Sequence, residues 1–377
     1  MTETIDEQQD MRFLNAALRL ARKHHGLTGT NPSVACVVVN DLGFGAVIVG
    51  SGITAIGGRP HAEPPAISEA GKHVKGATAY VTLEPCAHHG KTPPCAQTLI
   101  DAGVARVVTA IADPDDRVDG KGHEMMRKAG IEIDEIGQGA LAERVMAGYL
   151  SSRSQKRPFV SLKLAMTQEG IIGLQNKGNL KISGPISNRQ THLSRARHDA
   201  ILVGIGTALA DDPMLTCRLP GLEDRSPTRI VLDSKNRLPE DSRLISSAAT
   251  TRTIVAGSAE HADNSWLNML RLNSVHFITC EISEGYIALP ELLDDLLAQG
   301  ILSIMVEGGA QLAQSFLDEE LVDEIIIHVG GEPEELSNVS DAVLSPISLD
   351  NIPAPFEMCQ KLTFGVDTSL RLTKTGK

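Results

Sequence analysis

The sequence predicts an α/β protein of two domains in tandem, and three observations carry that expectation. Its 377 residues exceed what one compact domain usually holds. Strand-like apolar runs alternate with helical patterns in both halves. Between the halves, residues 151–158 read SSRSQKRP, a polar and charged run with the composition of a linker. The expected organisation is a first domain over 1–150, a linker over 151–157 and a second domain over 158–377.

Each element rests on its own pattern. Met11, Leu14, Leu18 and Ala21 share a helical face, with acidic residues before them and Gly26 after. Strands follow at 34–39, 46–49, 79–83 and 107–111, with helices at 95–102, 124–129 and 141–150. In the second half, strands are expected at 159–165, 200–203, 229–232, 252–255, 275–279, 302–306 and 324–328. Helices near 187–197, 289–298 and 311–317 fall among them. Residues 332–341 are acidic and read as a solvated loop.

Composition narrows the function. A 42% hydrophobic content supports packed cores. The net charge of −12, with no basic run, speaks against nucleic-acid backbones. Aromatics at 3% offer few stacking platforms for single strands. Six scattered cysteines do not make a secreted disulfide framework. The acidic N-terminus lacks the plan of a signal peptide, and no apolar run approaches a membrane span. The expectation is a cytoplasmic protein with reduced thiols and a small-molecule substrate.

The chemistry-bearing pattern of the first half is His61-Ala62-Glu63 followed by Pro85-Cys86 and Pro94-Cys95. One imidazole and two thiolates bind Zn²⁺ and leave a fourth position for water. The metal acidifies that water, and a carboxylate two residues past the histidine is placed to move protons without being a ligand. Each piece alone is weak, since a lone H-x-E or a lone cysteine is usually structural. The set matches the signature of zinc base deaminases, except that eight residues, AHHGKTPP, separate the cysteines instead of two. Gly90 and Pro93-Pro94 let that insert loop out and return Cys95 to a helix N-terminus, where a thiolate is favoured. His88 and His89 are rival ligands by chemistry.

The run TLEPCAHHGKTPPC over 82–95, with PHAE at 60–63, closely resembles the bifunctional deaminase/reductase family of riboflavin biosynthesis, whose hallmark is that long spacing. The resemblance implies a three-layer cytidine-deaminase-like fold, with His61, Cys86 and Cys95 as zinc ligands and Glu63 as proton shuttle. It also implies that Asn31, Lys91 and Asp113 line the substrate pocket. Three positions depart from the family: Thr30 replaces a proline before Asn-Pro, Thr54 stands where a histidine is common, and Asp115 replaces an asparagine.

The second half carries weaker signals. Lys163 sits on an apolar strand, where an inward lysine needs a partner. Gly204-Ile205-Gly206 follows a strand, but Leu209 breaks the dinucleotide fingerprint. Asp211-Asp212-Pro213 reads as a turn or cap. Val306-Glu307-Gly308-Gly309-Ala310 runs from strand into helix, where paired glycines let backbone N–H groups approach a phosphate. Among Arg189, Arg195, Arg197 and Arg218, one or two arginines are suited to clamp a phosphate.

From about 158 to 309 these segments resemble the family's reductase domain, which implies a dihydrofolate-reductase-like α/β fold. By that resemblance Lys163, Asn179, Arg195, Leu215, Arg218 and Glu307 contact substrate. Ala165, Lys181, Thr207, Asp211, Ser234 and the stretch Gly309, Ala310, Gln311, Leu312, Ala313, Gln314 and Ser315 contact NADPH. Thr167-Gln168-Glu169-Gly170 replaces Ser-Leu-Asp-Gly, Lys181 a common tryptophan and Asn179 a common serine. The choice of NADPH over NADH rests on the likeness alone.

The expected function is therefore deamination of a phosphoribosylamino-diaminopyrimidinone and NADPH reduction of its ribosyl to a ribityl chain. The rival is a monofunctional nucleotide deaminase with a regulatory second half, in which removal of 158–377 leaves the physiological reaction whole. An RNA-editing deaminase is disfavoured by charge and cysteine spacing, and a zinc scaffold would need a fourth protein ligand. The sequence does not decide between a monomer and a homo-oligomer.

Overall fold

The computed structural model describes residues 3–88, 93–137, 139–175, 180–331 and 341–374. The chain divides into two compact units, Met1–Arg157 and Pro158–Lys377.

The first unit runs α1 (Glu3–Ala21), β1 (Ala35–Asp41), β2 (Ala46–Ile53), α2 (Glu63–Ala70), β3 (Thr78–Val81), α3 (Cys95–Ala102), β4 (Arg106–Thr109), α4 (Lys121–Lys128), β5 (Glu132–Glu135) and α5 (Gly139–Ser154). Its sheet has the order β2-β1-β3-β4-β5; β1 is antiparallel to both neighbours, and β3, β4 and β5 are parallel. The first five residues of β1, ACVVV, are all buried, which marks a strand covered on both faces. Small residues bring α2 onto the sheet. A Cβ at Gly50 would lie 2.2 Å from the Ala66 carbonyl oxygen, and one at Gly52 2.0 Å from that of Ala62. The alanines at 62, 66 and 70 meet these glycines, so the helix that begins with Glu63 sits hard against β2.

The expected linker is shorter than its composition implied. Residues 151–154 belong to α5, and Ser151 and Ser152 are buried. Their hydroxyls donate to the carbonyls of Arg157 and Tyr149 at 3.0 and 2.6 Å. Serine hydroxyls satisfied by local backbone allow polar residues inside a helix, which a composition argument does not see.

The second unit comprises β6 (Phe159–Met166), β7 (Ile171–Leu174), α6 (Pro185–Arg195), β8 (Ala200–Gly204), α7 (Ile205–Asp211), β9 (Thr228–Leu232), α8 (Arg243–Ser246), β10 (Thr253–Gly257) and α9 (Asn264–Leu272). It continues through β11 (Val275–Thr279), β12 (Ile282–Ser283), β13 (Tyr286–Ile287), α10 (Leu289–Ala298), β14 (Ser303–Glu307), α11 (Ala310–Asp318), β15 (Glu324–Val329), β16 (Ala342–Leu344), β17 (Phe356–Phe364) and β18 (Asp367–Lys374). The main sheet has the order β11-β10-β9-β8-β14-β6-β15-β18-β17, parallel from β11 through β15, with the last two strands antiparallel. Alternation splits its core in two. Ala200, Leu202, Ile230 and Ile254 pack on one face, and Ile201, Val203, Val231 and Val255 on the other. Leu162, Leu164, Ile304 and Val306 join the first face, so Lys163 and Glu307, paired in register, point to the opposite one. They lie near the carboxyl ends of their strands, where open parallel sheets bind ligands.

Candidate active sites

In the first unit, three short-range placements converge. His61 immediately precedes the N-cap of α2, and Glu63 is that helix's first residue. Cys86 lies on the loop after β3, and Cys95 is the first residue of α3. The backbone N–H of Cys95 donates to Cys86 Sγ at 3.3 Å, so the long insert does return to its start. His61 Nδ1 lies 3.8 Å from Cys86 Sγ and 3.4 Å from Cys95 Sγ, and one ligand atom from each residue falls within 4.8 Å of the others. A tetrahedral zinc with Zn–S about 2.3 Å and Zn–N about 2.0–2.1 Å sets an N···S edge of about 3.6 Å. The donor set therefore fits the ion and leaves a fourth position. His88 lies outside this cluster, and His89 lies outside the described residues.

Glu63 is 3% exposed, and its Oε2 and the Nε2 of His61 have no hydrogen-bond partner among the described residues. Burial, then the neighbouring Cys86 sulfur, raises the Glu63 carboxyl above its ordinary range. Cys86 is held down to about 4 by its hydrogen bond with Cys95, which is pushed up in turn.

Glu84 ties the site together. Its carboxylate accepts from the backbone N–H groups of Asp113, Gly120, Gly122 and His123 at 3.0–3.4 Å. The loop that lines the pocket is thus fastened two residues from a zinc-ligand candidate. Gly122 is required there, because a Cβ would lie 2.0 Å from the Pro85 carbonyl oxygen. A cavity of about 300 Å³ is bounded by Asn31, His61, Glu63, Cys86, Asp113 and Tyr149, among others. Tyr149 donates to Asp113 at 2.9 Å, and burial raises that carboxyl. The departing residues Thr30, Thr54 and Asp115 line the same cavity. Thr54 accepts from the Val34 N–H at 3.0 Å, so its hydroxyl serves the strand. Lys91 lies outside the described residues.

The second unit holds a cavity of about 940 Å³, at the upper end for small-molecule sites. Lys163, Arg195, Leu215, Arg218 and Glu307 line it, as do Ala165, Lys181, Thr207, Asp211 and Gly309. Arg195 grips Glu307 by two parallel hydrogen bonds of 2.8 Å, and its Nη1 donates to the Thr216 carbonyl at 3.2 Å. Burial works against the Glu307 charge, but Arg195, helped by Lys163 and His192, outweighs it and holds the carboxyl at about 2. Burial lowers Lys163, and nearby Glu307 opposes that shift. Asp211 ends α7, while Asp212 takes a left-handed backbone and accepts from the Arg243 N–H at 2.8 Å.

The anion-bearing cofactor fits this lining in part. Gly308 and Gly309 face the cavity, and α11 begins after Gly309 with no side-chain cap, leaving first-turn N–H groups for a phosphate. The rest of the expected stretch is not at the cavity wall. Ala313 is fully buried in the core, Leu312 packs beside Gly308, Gln311 donates to the Tyr286 hydroxyl at 3.0 Å and Gln314 to Asp318 at 2.6 Å. Ala310, Ser315 and Ser234 likewise lie outside the lining. A helix meets a ligand at its N-terminus through first-turn backbone N–H groups, here those of Ala310, Gln311 and Leu312, so these residues need no side chain at the wall. Asn179 lies outside the described residues, as do 332–340 of the expected acidic loop. Sequence reasoning passed over His192 and Arg243, which line this cavity, and Arg117 and Arg153, which line the smaller one.

Comparison with known proteins agrees with this division. Residues 7–111 match the family model of the cytidine and deoxycytidylate deaminase zinc-binding region, and 158–331 match the RibD C-terminal domain. The riboflavin biosynthesis protein RibD of Escherichia coli is 37% identical over 85% of this chain and 87% of its own length; that of Haemophilus influenzae is 38% identical over 85% and 86%. RibD of Acinetobacter baumannii superposes with a TM-score of 0.83 at 32% identity, covering 98% of this chain and 100% of that one. A Thermotoga maritima deaminase/reductase gives 0.83 at 30% identity over 98% and 99%. The chain belongs to the RibD family, the riboflavin-biosynthesis enzymes that join a zinc-dependent deaminase to an NADPH-dependent reductase.

Proposed function

We propose that the chain acts twice on one phosphorylated pyrimidine. It removes an amino group hydrolytically from a diaminopyrimidinone bearing a phosphoribosylamino group, then reduces the ribosyl chain to ribityl. The observation that carries this reading is the convergence of His61, Cys86 and Cys95 beside buried Glu63, in a pocket shared with Asn31 and Asp113. The Thermotoga maritima relative is a diaminohydroxyphosphoribosylaminopyrimidine deaminase and 5-amino-6-(5-phosphoribosylamino)uracil reductase, which supports the choice of substrate.

Held by the three ligands, zinc supplies an acidified water, and NADPH supplies the hydride. The remaining work falls to the chain. Glu63, with its raised carboxyl, takes a proton from the attacking water and returns it to the amine, which leaves as ammonia. Asn31 and Asp113 orient the ring. In the second unit Lys163, Arg195 and Arg218 hold the phosphorylated sugar, and Glu307 fixes Arg195. The first turn of α11, with Thr207 and Lys181, receives the dinucleotide. The six cysteines, too few and too scattered in the sequence for a secreted disulfide framework, support a cytoplasmic setting.

Glu63→Gln is the decisive variant. Ammonia release is expected to vanish while zinc content, read by metal analysis, stays at one per chain. Persisting ammonia release overturns the mechanism. Product masses with and without NADPH then separate the two steps.

A further inference from the structure

Asp115 stands where the family resemblance expects a neutral asparagine. The change puts a carboxylate inside a pocket that, on the reading above, admits a phosphorylated substrate. A buried charge of the wrong sign is costly unless the protein answers it. Two arginines from different elements do so. Arg117 donates to Asp115 from Nε at 2.8 Å and Nη2 at 2.7 Å, and its backbone N–H donates to Oδ1 at 3.0 Å. Arg153, in the last turn of α5, brings Nε to 3.3 Å from Oδ2, and its guanidinium lies 5.1 Å above the Tyr149 ring.

The side-chain exposures differ within the arrangement. Asp115 is 6% exposed, Arg117 60% and Arg153 35%, so the anchor is buried while both arginines of the cavity lining keep contact with solvent. One carboxylate cannot neutralise two guanidiniums, so these three side chains together carry a net positive charge, in a lining that also holds Arg59 and the carboxylates of Glu63, Glu84 and Asp113. Arg153 meets Asp115 through Nε, a contact that leaves its terminal N–H donors for another oxygen acceptor. The planar fork of arginine suits a phosphate monoester.

We propose that Arg117 and Arg153, held by Asp115, form the clamp for the phosphate of the deamination substrate. This rests on the function proposed above. Asp115 is the positioning residue, acting through the arginines.

The test measures ammonia release by the zinc-loaded full chain without NADPH, on the phosphorylated substrate and its dephosphorylated riboside. Arg117→Ala and Arg153→Ala each raise KM for the phosphorylated compound by about 10-fold or more, the loss of a charge-assisted hydrogen bond, with a smaller change in kcat. Each raises KM for the riboside by clearly less than for the phosphorylated compound. Asp115→Asn also raises KM, because the arginines lose their anchor; if the carboxylate merely repelled phosphate, the same variant would lower it. Equal effects on both compounds, or a lowered KM in Asp115→Asn, overturn the clamp.

Calorimetry with ribose 5-phosphate reads binding without turnover. The double variant R117A/R153A loses one class of sites present in the wild type. Identical isotherms refute the clamp even if deamination is observed. A lost site in a protein that releases no ammonia leaves the clamp standing and refutes the proposed reaction.

Discussion

The two cavities are built from different materials. In the first unit the reacting groups sit at fixed backbone positions, immediately before a helix, at the first residue of another and on a loop fastened by Glu84 to four backbone amides. In the second, a cavity three times larger is organised mainly by side-chain charge, with Arg195 locked to Glu307 near Lys163. The first site depends on backbone register and a metal. The second depends on ion pairing across the ends of three elements. Perturbations of one are therefore expected to spare the other.

Metal removal should separate them most sharply. Chelation abolishes ammonia release, whereas NADPH oxidation with the already deaminated intermediate stays within about twofold of the untreated rate, since that chemistry belongs to the other cofactor. Parallel loss of both activities would break the comparison.

Glu307→Gln is the converse. It leaves Arg195 without its counter-charge in a mostly buried setting, a change that costs about 3–5 kcal/mol when a buried pair loses one partner. Reductase kcat/KM should fall by about 100-fold or more on that scale, with ammonia release unchanged. Steady-state assays of the two half-reactions decide it.

Gly52→Ala probes the backbone dependence of the first site. The added Cβ meets the Ala62 carbonyl, and overpacking of this kind costs about 1–3 kcal/mol. Denaturant unfolding should show the loss, together with weaker zinc retention, because α2 carries Glu63 and follows His61.

A last effect, silent at neutral pH, is a pH dependence confined to the second unit. Burial, then nearby Lys163, holds His328 down to about 4. An unfolded histidine titrates near 6.5. Between about 6.5 and 4 the unfolded chain binds a proton that the folded chain refuses, so stability falls as pH falls through that window. His328→Asn should flatten this slope in thermal melts across that range, and an unaltered slope would assign the acid sensitivity elsewhere.

The same contrast explains what was legible in the sequence. Metal chemistry restricts residue types, so His61, Glu63, Cys86 and Cys95 stood out, and the start of α3 at Cys95 was readable from the prolines before it. The reductase site offered only a lysine, a few arginines and a glycine pair. Its implied helix contacts at 311–315 are not divided into backbone and side-chain contacts, because family likeness does not say which turn faces the cavity; the Ala313 side chain is core. The hairpin β17–β18 escaped notice for another reason. Its outer strand is largely exposed, including Met358 and Leu362, so no clean alternation marks it. β5, EIDE, is likewise an edge strand too acidic to read as one. Arg117 and Arg153 carried no pattern at all, since their meaning lies in a carboxylate brought to them by folding.

Glu84 has a consequence for anyone redesigning the first pocket. Because one carboxylate gathers amides from Asp113, Gly120, Gly122 and His123, that segment behaves like a strap buckled at several holes. Its cavity-lining side chains, such as Arg117 and Val118, are open to exchange for new specificities, whereas Gly122 has no room for a Cβ and insertion or deletion of a residue would pull the buckle against Cys86. Diversity in this enzyme should be sought by relettering the strap at constant length.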